Sequence, residues 1–358
     1  MRTNVAAMAI GLGQLVSATL SSQSYVIPSG QINGTTGTDT IVGLTAFDGP
    51  HISVNNGSAY QWWYFDVVSH DSKAAVVAQF YPGWTADASA VLLNIVWPNG
   101  TTFAETISVG TLDLTTVDDG SQGYVEDGAM TWFGASDLSA YHLSLNLPDV
   151  GVSGKITMRS RAPSHVACGL NRAGASFDFA EFLQWGNSVP DSYATVDLDV
   201  NGTSLTFSGS GYHDQNWGQA AFMDGLTQWF WGHSNIGEYS LVFFYHIDEQ
   251  LKVKSSGYLA KNGNLIVSGC SNIKVIPQGP RTSVPLNASI PVESWAIYID
   301  SSKHGKYAFT IDNKIEASSS SPVYTRWVGQ TTGGRVGAAN STGAAIVEFM
   351  NNPLKGYY

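Results

Sequence analysis

Charge is what this 358-residue chain has least of. Charged side chains make up 13% of it, about half the usual share. Its 17 Lys and Arg leave a formal net charge of −11 and gather nowhere into a basic cluster. Sequence-independent affinity for nucleic acid or for an anionic membrane rests on clustered Lys and Arg, so neither is an expected partner. Cysteine is scarce too. Cys168 and Cys270 admit one disulfide in an oxidising compartment or two buried thiols, and one pair over this length is no scaffold. Beyond the first twenty residues no run is long and apolar enough to cross a bilayer. The chain also lacks a phosphate-cradling Gly-rich loop with Lys, a dinucleotide fingerprint behind a strand, and a nucleophile elbow around a serine. His213, Asp214, His233 and His246 are the nearest approach to a metal set, and their spacing fits no ligand pattern. No metal and no cofactor is therefore expected.

What is present begins with the amino terminus, MRTNVAAMAIGLGQLVSATLSSQS. Arg2, an apolar run from Val5 to Leu20, and Val16, Ser17 and Ala18 ahead of a polar stretch are the three parts of a secretory signal. Residues 1–20 are expected to be a signal peptide, which sets the protein in the secretory lumen or outside the cell. Sequons at Asn33, Asn56, Asn99, Asn201, Asn287 and Asn340 agree with that route.

Period-two alternation dominates the rest. In ATVDLDVNGTSLTF, Val196, Leu198 and Val200 point one way and Asp197 and Asp199 the other, and Asn201-Gly202 supplies a tight hairpin turn. Asn99-Gly100 and Asn262-Gly263 repeat the signal. YHLSLNLP puts Tyr141, Leu143, Leu145 and Leu147 on one face. YSLVFFYHI is apolar on both faces, so one side of it meets a core and the other a cavity or second sheet. GASFDFAEFLQWG is the best candidate for a short helix. Strands joined by short turns over this length predict an all-β pair of sandwich or barrel domains. The boundary is expected near Phe207, giving domains 21–207 and 208–358.

Aromatic side chains are concentrated. QWWYFDVV places Trp62, Tyr64 and Asp66 on one strand face and Trp63, Phe65 and Val67 on the other, and TQWFWGH gathers Trp229, Trp231 and His233. GYHDQNWG packs His213, Asp214, Asn216 and Trp217 between two glycines. Indoles beside a few polar groups describe an apolar chamber for a small molecule. Any single Trp is more often plain core, and Asp66 and Asp214 read equally as holders of turns.

QWWYFD, then GYHDQNWG, QWFWGH, RWVGQTTGGRVG and GAAIVEF, with VPDSYATVDLDVNG between, resemble the hydroxyneurosporene-synthase-like group with two lipocalin-like domains. The likeness is stronger to the fungal Diels-Alderases of that fold. The family's first motif opens with Glu where this chain has Gln61. The resemblance implies a β-sandwich or lipocalin-like first domain packed on a lipocalin-like β-barrel, with a polyene substrate from polyketide or polyketide-peptide pathways bound between them. A [4+2] cycloaddition needs no nucleophile; an enclosing apolar pocket removes the entropy of folding a floppy polyene, and a hydrogen-bond donor stabilises charge growing on the dienophile carbonyl. On this reading Trp63, Tyr64, Trp217, Trp229, Trp231, Trp327 and Tyr245 are candidate binding walls. Trp231, Asn216, His213 and Arg335 are candidate catalytic groups, and Asp66 and Asp214 hold the motif loops through buried hydrogen bonds. Two other classes stay open: an isoprenoid hydratase with Asp66 or Asp214 as a buried acid, and a non-catalytic carrier of an apolar ligand.

Overall fold

The computed structural model describes residues 21–280 and 282–356, and the expected signal peptide lies outside the described residues. Among these residues, 24 strands and four short 3-10 turns form a fifteen-stranded and a nine-stranded sheet, every pairing antiparallel. The expected hairpins are present. At the sharpest, Leu183–Val200 turns into Thr203–Gly218 with Val200 opposite Thr203. Asn201 (φ 51°) and Gly202 (φ 77°) supply the two left-handed residues that such a turn demands.

Both sheets curl. The edges of the second sheet are Asn264–Gly269 and Ile273–Gln278, consecutive strands separated only by residues 270–272, so the sheet must bend round until its ends meet. Ser301 Oγ donates to the Ile266 carbonyl across that seam at 3.4 Å. The concave side of the first sheet encloses a core around Trp63, Phe65, Phe80, Trp132 and Tyr141. The second encloses one around Phe230, Phe243, Trp295 and Phe309.

A third cluster lies between the two sheets, where Trp62, Tyr64, Trp185 and Tyr212 meet Trp229, Trp231 and Phe244. It follows from the alternation. Tyr60–Ser69 is buried along its whole length, with Trp63, Phe65 and Val67 in the first core and Trp62, Tyr64 and Val68 in the intervening cluster. Tyr239–Ile247 divides likewise, Leu241 and Phe243 facing the second core and Val242 and Phe244 the first sheet. Leaving Trp62, Tyr64, Trp231 and Phe244 in water would forfeit about 1.5–3 kcal/mol each, together comparable to a domain's whole net stability of about 5–15 kcal/mol. The outer faces of the sheets are therefore pressed together. Asp66 on the first sheet accepts from His233 on the second at 2.9 and 3.0 Å, and a Cys168–Cys270 disulfide staples a loop of the first to the edge of the second.

Three expectations need correction or completion. GASFDFAEFLQWG is a hairpin, Asp178–Ala180 against the start of Leu183–Val200 with a register shift between Asp178 and Ala180, so that Phe177 is buried in the first core and Phe179 in the intervening cluster while Asp178 is exposed. The boundary expected near Phe207 falls inside a strand that pairs with Tyr60–Ser69 as far as Gly218; the chain enters the second sheet at Gln228. The two cysteines, left open between a bridge and free thiols, are paired.

Deep in the first core, Asp48 accepts hydrogen bonds from Ser121 Oγ (2.6 Å), Tyr141 Oη (2.8 Å), Gln215 Nε2 (2.6 Å) and His213 Nε2 (2.9 Å). Burial alone would raise its pKa, but the His213 charge and these bonds outweigh burial and hold it below the usual value. A carboxyl depressed in the folded state contributes stability above its unfolded pKa, about 4, and loses it as pH falls through the folded value. Asp48→Asn should therefore cost about 3–5 kcal/mol at neutral pH by breaking the buried pair. In urea unfolding at a series of pH values, the stability of this variant should also fall less on acidification than the wild type's.

Candidate active chamber

A cavity of about 600 Å³ opens within the aromatic layer between the sheets, a volume suited to one small organic molecule. Trp62, Tyr64 and Tyr81 wall it from the first sheet, Trp229, Trp231 and Phe244 from the second, and Phe222 from the crossing segment. The rings interlock edge to face: Trp231 meets Tyr64 at 5.6 Å and Tyr212 at 5.1 Å, and Trp229 meets Phe244 at 5.4 Å. Such contacts hold each ring in one orientation.

Alternation decides how GYHDQNWG serves this chamber. Asp214 lies opposite Tyr64 and Asn216 opposite Trp62 in the sheet, and both line the cavity. His213, Gln215 and Trp217 must then point the other way, and they do. His213 and Trp217 are thus corrected. His213 is locked between Asp48 and the Tyr64 carbonyl, and Trp217 stacks on His51 and donates to the Asp39 carbonyl. The same parity removes three other expected walls. Trp63 is core beside Trp132, Trp327 packs toward the second core while its neighbour Arg326 lines the cavity, and Tyr245 follows Trp327 for the same reason. Arg335 lies at the far end of Tyr324–Arg335, nine residues and about 30 Å from Arg326. Tyr64, Asn216, Trp229 and Trp231 do line the chamber. Asp66 ties the sheets, accepting from His233 and from the Tyr64 hydroxyl at 2.8 Å.

Gln61, where the family motif has Glu, is remote from the chamber. Its Oε1 accepts from the His51 amide at 2.8 Å and its Nε2 donates to the Gly49 carbonyl at 3.1 Å. A carboxylate cannot make the second bond, so the amide suits this clamp.

The charged groups buried in the chamber wall, Asp214, Arg326 and Glu348, are each anchored. Asp214 accepts through Oδ2 from Trp185 Nε1 (2.8 Å) and the Tyr212 hydroxyl (2.6 Å). Burial nevertheless pushes its pKa up to about 7, with the charge of Glu348 adding to the rise. Opposite, Arg326 and Glu348 face each other on neighbouring strands. Glu348 Oε1 accepts from Arg326 Nε and Tyr324 Oη, each at 2.8 Å, and Arg326 Nη1 reaches across to Asn94 Oδ1 at 2.7 Å. Sequence reading passed over Arg326, Glu348, Tyr324 and Asn94; the signal for the first two is a charge set directly beside apolar neighbours, in RWV and AIVEF. The indole N–H of Trp229 is buried without a partner. That of Trp231 makes no hydrogen bond either, although the neighbouring Tyr212 hydroxyl feels it.

Such a site offers an unpaired donor, a carboxyl that is neutral below about pH 7, and an ion pair, all against aromatic walls. An infrared titration should show a carboxylic-acid carbonyl band that disappears with a midpoint near pH 7 and is missing from Asp214→Asn. A band lost wholly within the ordinary carboxylate range would contradict this electrostatic picture.

The comparisons bear on what the site serves. The Diels-Alderase-like family model matches residues 32–275. The quinolone epoxide rearrangement protein asqO of Emericella nidulans is 31% identical over 299 residues, 78% of this chain and 80% of that protein. The Diels-Alderase ucsH of an Acremonium species is 27% identical over 235 residues, 59% of this chain and 56% of that one. Crystalline CghA with Sch210972 has the same fold, with a TM-score of 0.75 at 17% identity over 92% of this chain and 98% of that chain. The match across most of the sequence, with its spaced motifs, establishes that the chain belongs to the Diels-Alderase-like family of enzymes.

Proposed function

We propose that this enzyme closes a ring within a single substrate by a stereoselective, cofactor-independent intramolecular [4+2] cycloaddition. The substrate is a linear polyene intermediate of fungal polyketide or polyketide-peptide secondary metabolism. One observation carries the reading: the cavity between the sheets is walled by interlocked aromatic rings, and within that wall the indole N–H of Trp229 is buried without a partner. Walls fixed by edge-to-face packing preorganise a folded polyene and remove much of the entropic barrier. An N–H that has already lost its water and has no protein partner is stabilised by a substrate carbonyl, the more so as negative charge grows there. The names borne by ucsH and the matched family support this reading.

A second reading is favoured by a specific observation. A carboxyl that is neutral up to about pH 7 can protonate an epoxide oxygen as the C–O bond breaks, and Asp214 is such a group in the chamber. The rearrangement activity in the name of asqO points the same way. The two readings share the chamber and differ in the group that assists.

They separate in one experiment. The purified protein would be incubated with a synthetic polyenoyl tetramic acid and with a quinolone epoxide, and product isomers resolved by chiral chromatography. Under the cycloaddition reading one cycloadduct isomer forms faster than in buffer, and Trp229→Phe, which keeps a ring and removes the N–H, slows it about 10- to 100-fold. Turnover of the epoxide alone, abolished in Asp214→Asn, establishes the second reading. A product heavier by one water identifies a hydratase, and tight binding with no product a carrier.

The secretory location belongs to the same proposal. It is supported by the Cys168–Cys270 disulfide and by exposed sequons at Asn33, Asn99, Asn201 and Asn340. Protein secreted from a fungal host should lose mass on treatment with an N-glycosidase; retention in the cytosol without glycans would overturn it.

A further inference from the structure

Of the three carboxyl groups that line the chamber, Glu105 is exposed at its rim, whereas Asp214 and Glu348 are buried on opposite sheets, and a cycloaddition needs neither. Their anchoring is parallel. Asp214 is held by Oδ2 and Glu348 by Oε1, while no described residue hydrogen-bonds to Asp214 Oδ1 or Glu348 Oε2. Neither free oxygen is among the fully buried atoms without a partner, so each keeps some accessible surface in a residue that lines the cavity. The anchors differ in charge: a neutral indole and phenol hold Asp214, whereas the Arg326 guanidinium grips Glu348 at 2.6 Å. One carboxyl is thus held by neutral groups and the other by a cation.

We propose that Asp214 and Glu348 act as an acid-base pair that moves a proton on a carbonyl substrate, interconverting a β,γ-unsaturated ketone, its dienol and the conjugated enone. The inference rests on the reading of this cavity as the reaction chamber. In the forward step the α C–H bond breaks and its proton goes to Glu348 Oε2. The released pair forms the new C=C bond, and the carbonyl π pair moves to oxygen, which takes the Asp214 proton. The dienol so formed is itself a diene. In the closing step the enol proton returns to Asp214 while Glu348 delivers its proton to the γ carbon, so the substrate is isomerised and no atom is gained or lost. A neutral carboxylic acid facing a carboxylate base is an effective arrangement for such transfers. Ordering the diene by tautomerisation and then folding it would place two steps in one chamber.

A long-chain aryl β,γ-unsaturated ketone in D2O is the probe, followed by ultraviolet absorbance of the enone and by deuterium incorporation in the α and γ positions. The wild-type protein should catalyse both. Glu348→Gln and Asp214→Asn should each lose about 10²- to 10⁴-fold while still binding the ketone by quenching of tryptophan fluorescence. Tyr212, Trp185, His213 and Glu348 surround Asp214, and Arg326, Tyr324, Tyr64 and Asp214 surround Glu348. Of these groups Asp214 is the one pushed to about 7, so the rate should fall as pH rises through that value.

Because Glu348→Gln strips Arg326 of its counter-ion, a Glu348→Gln/Arg326→Gln variant accompanies it, with the same loss expected. Deuterium uptake at the buffer rate with the wild type, or undiminished uptake in the double variant, overturns the pair. Ring closure of a preformed diene reports on the cycloaddition separately: isomerisation without ring closure keeps this inference and removes that reading, and ring closure without isomerisation does the reverse.

Discussion

A strand that is apolar on both faces must be covered twice, and the architecture follows from that constraint. Tyr60–Ser69, Gln228–Ile236 and Tyr239–Ile247 each give one face to a core inside their own curled sheet and the other to the opposite sheet. A single curled sheet cannot satisfy such strands, so two of them pack outer face to outer face. The chamber lies within the layer where the aromatic rings of the two sheets meet.

The polar groups in that layer are confined by cost. A buried charge without partners is expensive, and those present are either paired or held neutral. Asp66 and His233 join the sheets, and Arg326 and Glu348 pair directly across two strands while Asn94 links them to the first sheet. Burial pushes Asp214 up to about 7, which lowers the share of it that carries a charge. The groups that hold the two sheets in register thus also fix the polar edges of the chamber. A change that loosens the packing would blur the chamber before it unfolds the chain.

Much of this was legible in the sequence, and the boundary between legible and hidden is physical. Hairpins were readable because Asn201-Gly202 has a backbone requirement of its own. The two-faced strands were readable because alternation is a local property, and the family was readable from its spaced motifs. The individual walls were harder. Asn216 and His213 are three apart and cannot share a strand face, so proximity in GYHDQNWG misassigned His213 and Trp217. Parity within each motif would have separated Trp62 from Trp63 and Arg326 from Trp327 once one member was known to face the cavity. Which face that is depends on the partner sheet, and the Arg326–Glu348 pairing on the register of strands more than twenty residues apart. Neither is written locally.

The central claim is that a single substrate folds between the two sheets and not within either core. The most direct measurement is a crystal structure of the protein with its ring-closed product bound. The account places the product against Trp231 and Phe244, with a carbonyl oxygen within hydrogen-bond distance of Trp229 Nε1. Product lodged inside either curled sheet, or on the outer surface with the chamber still filled by water, would contradict it.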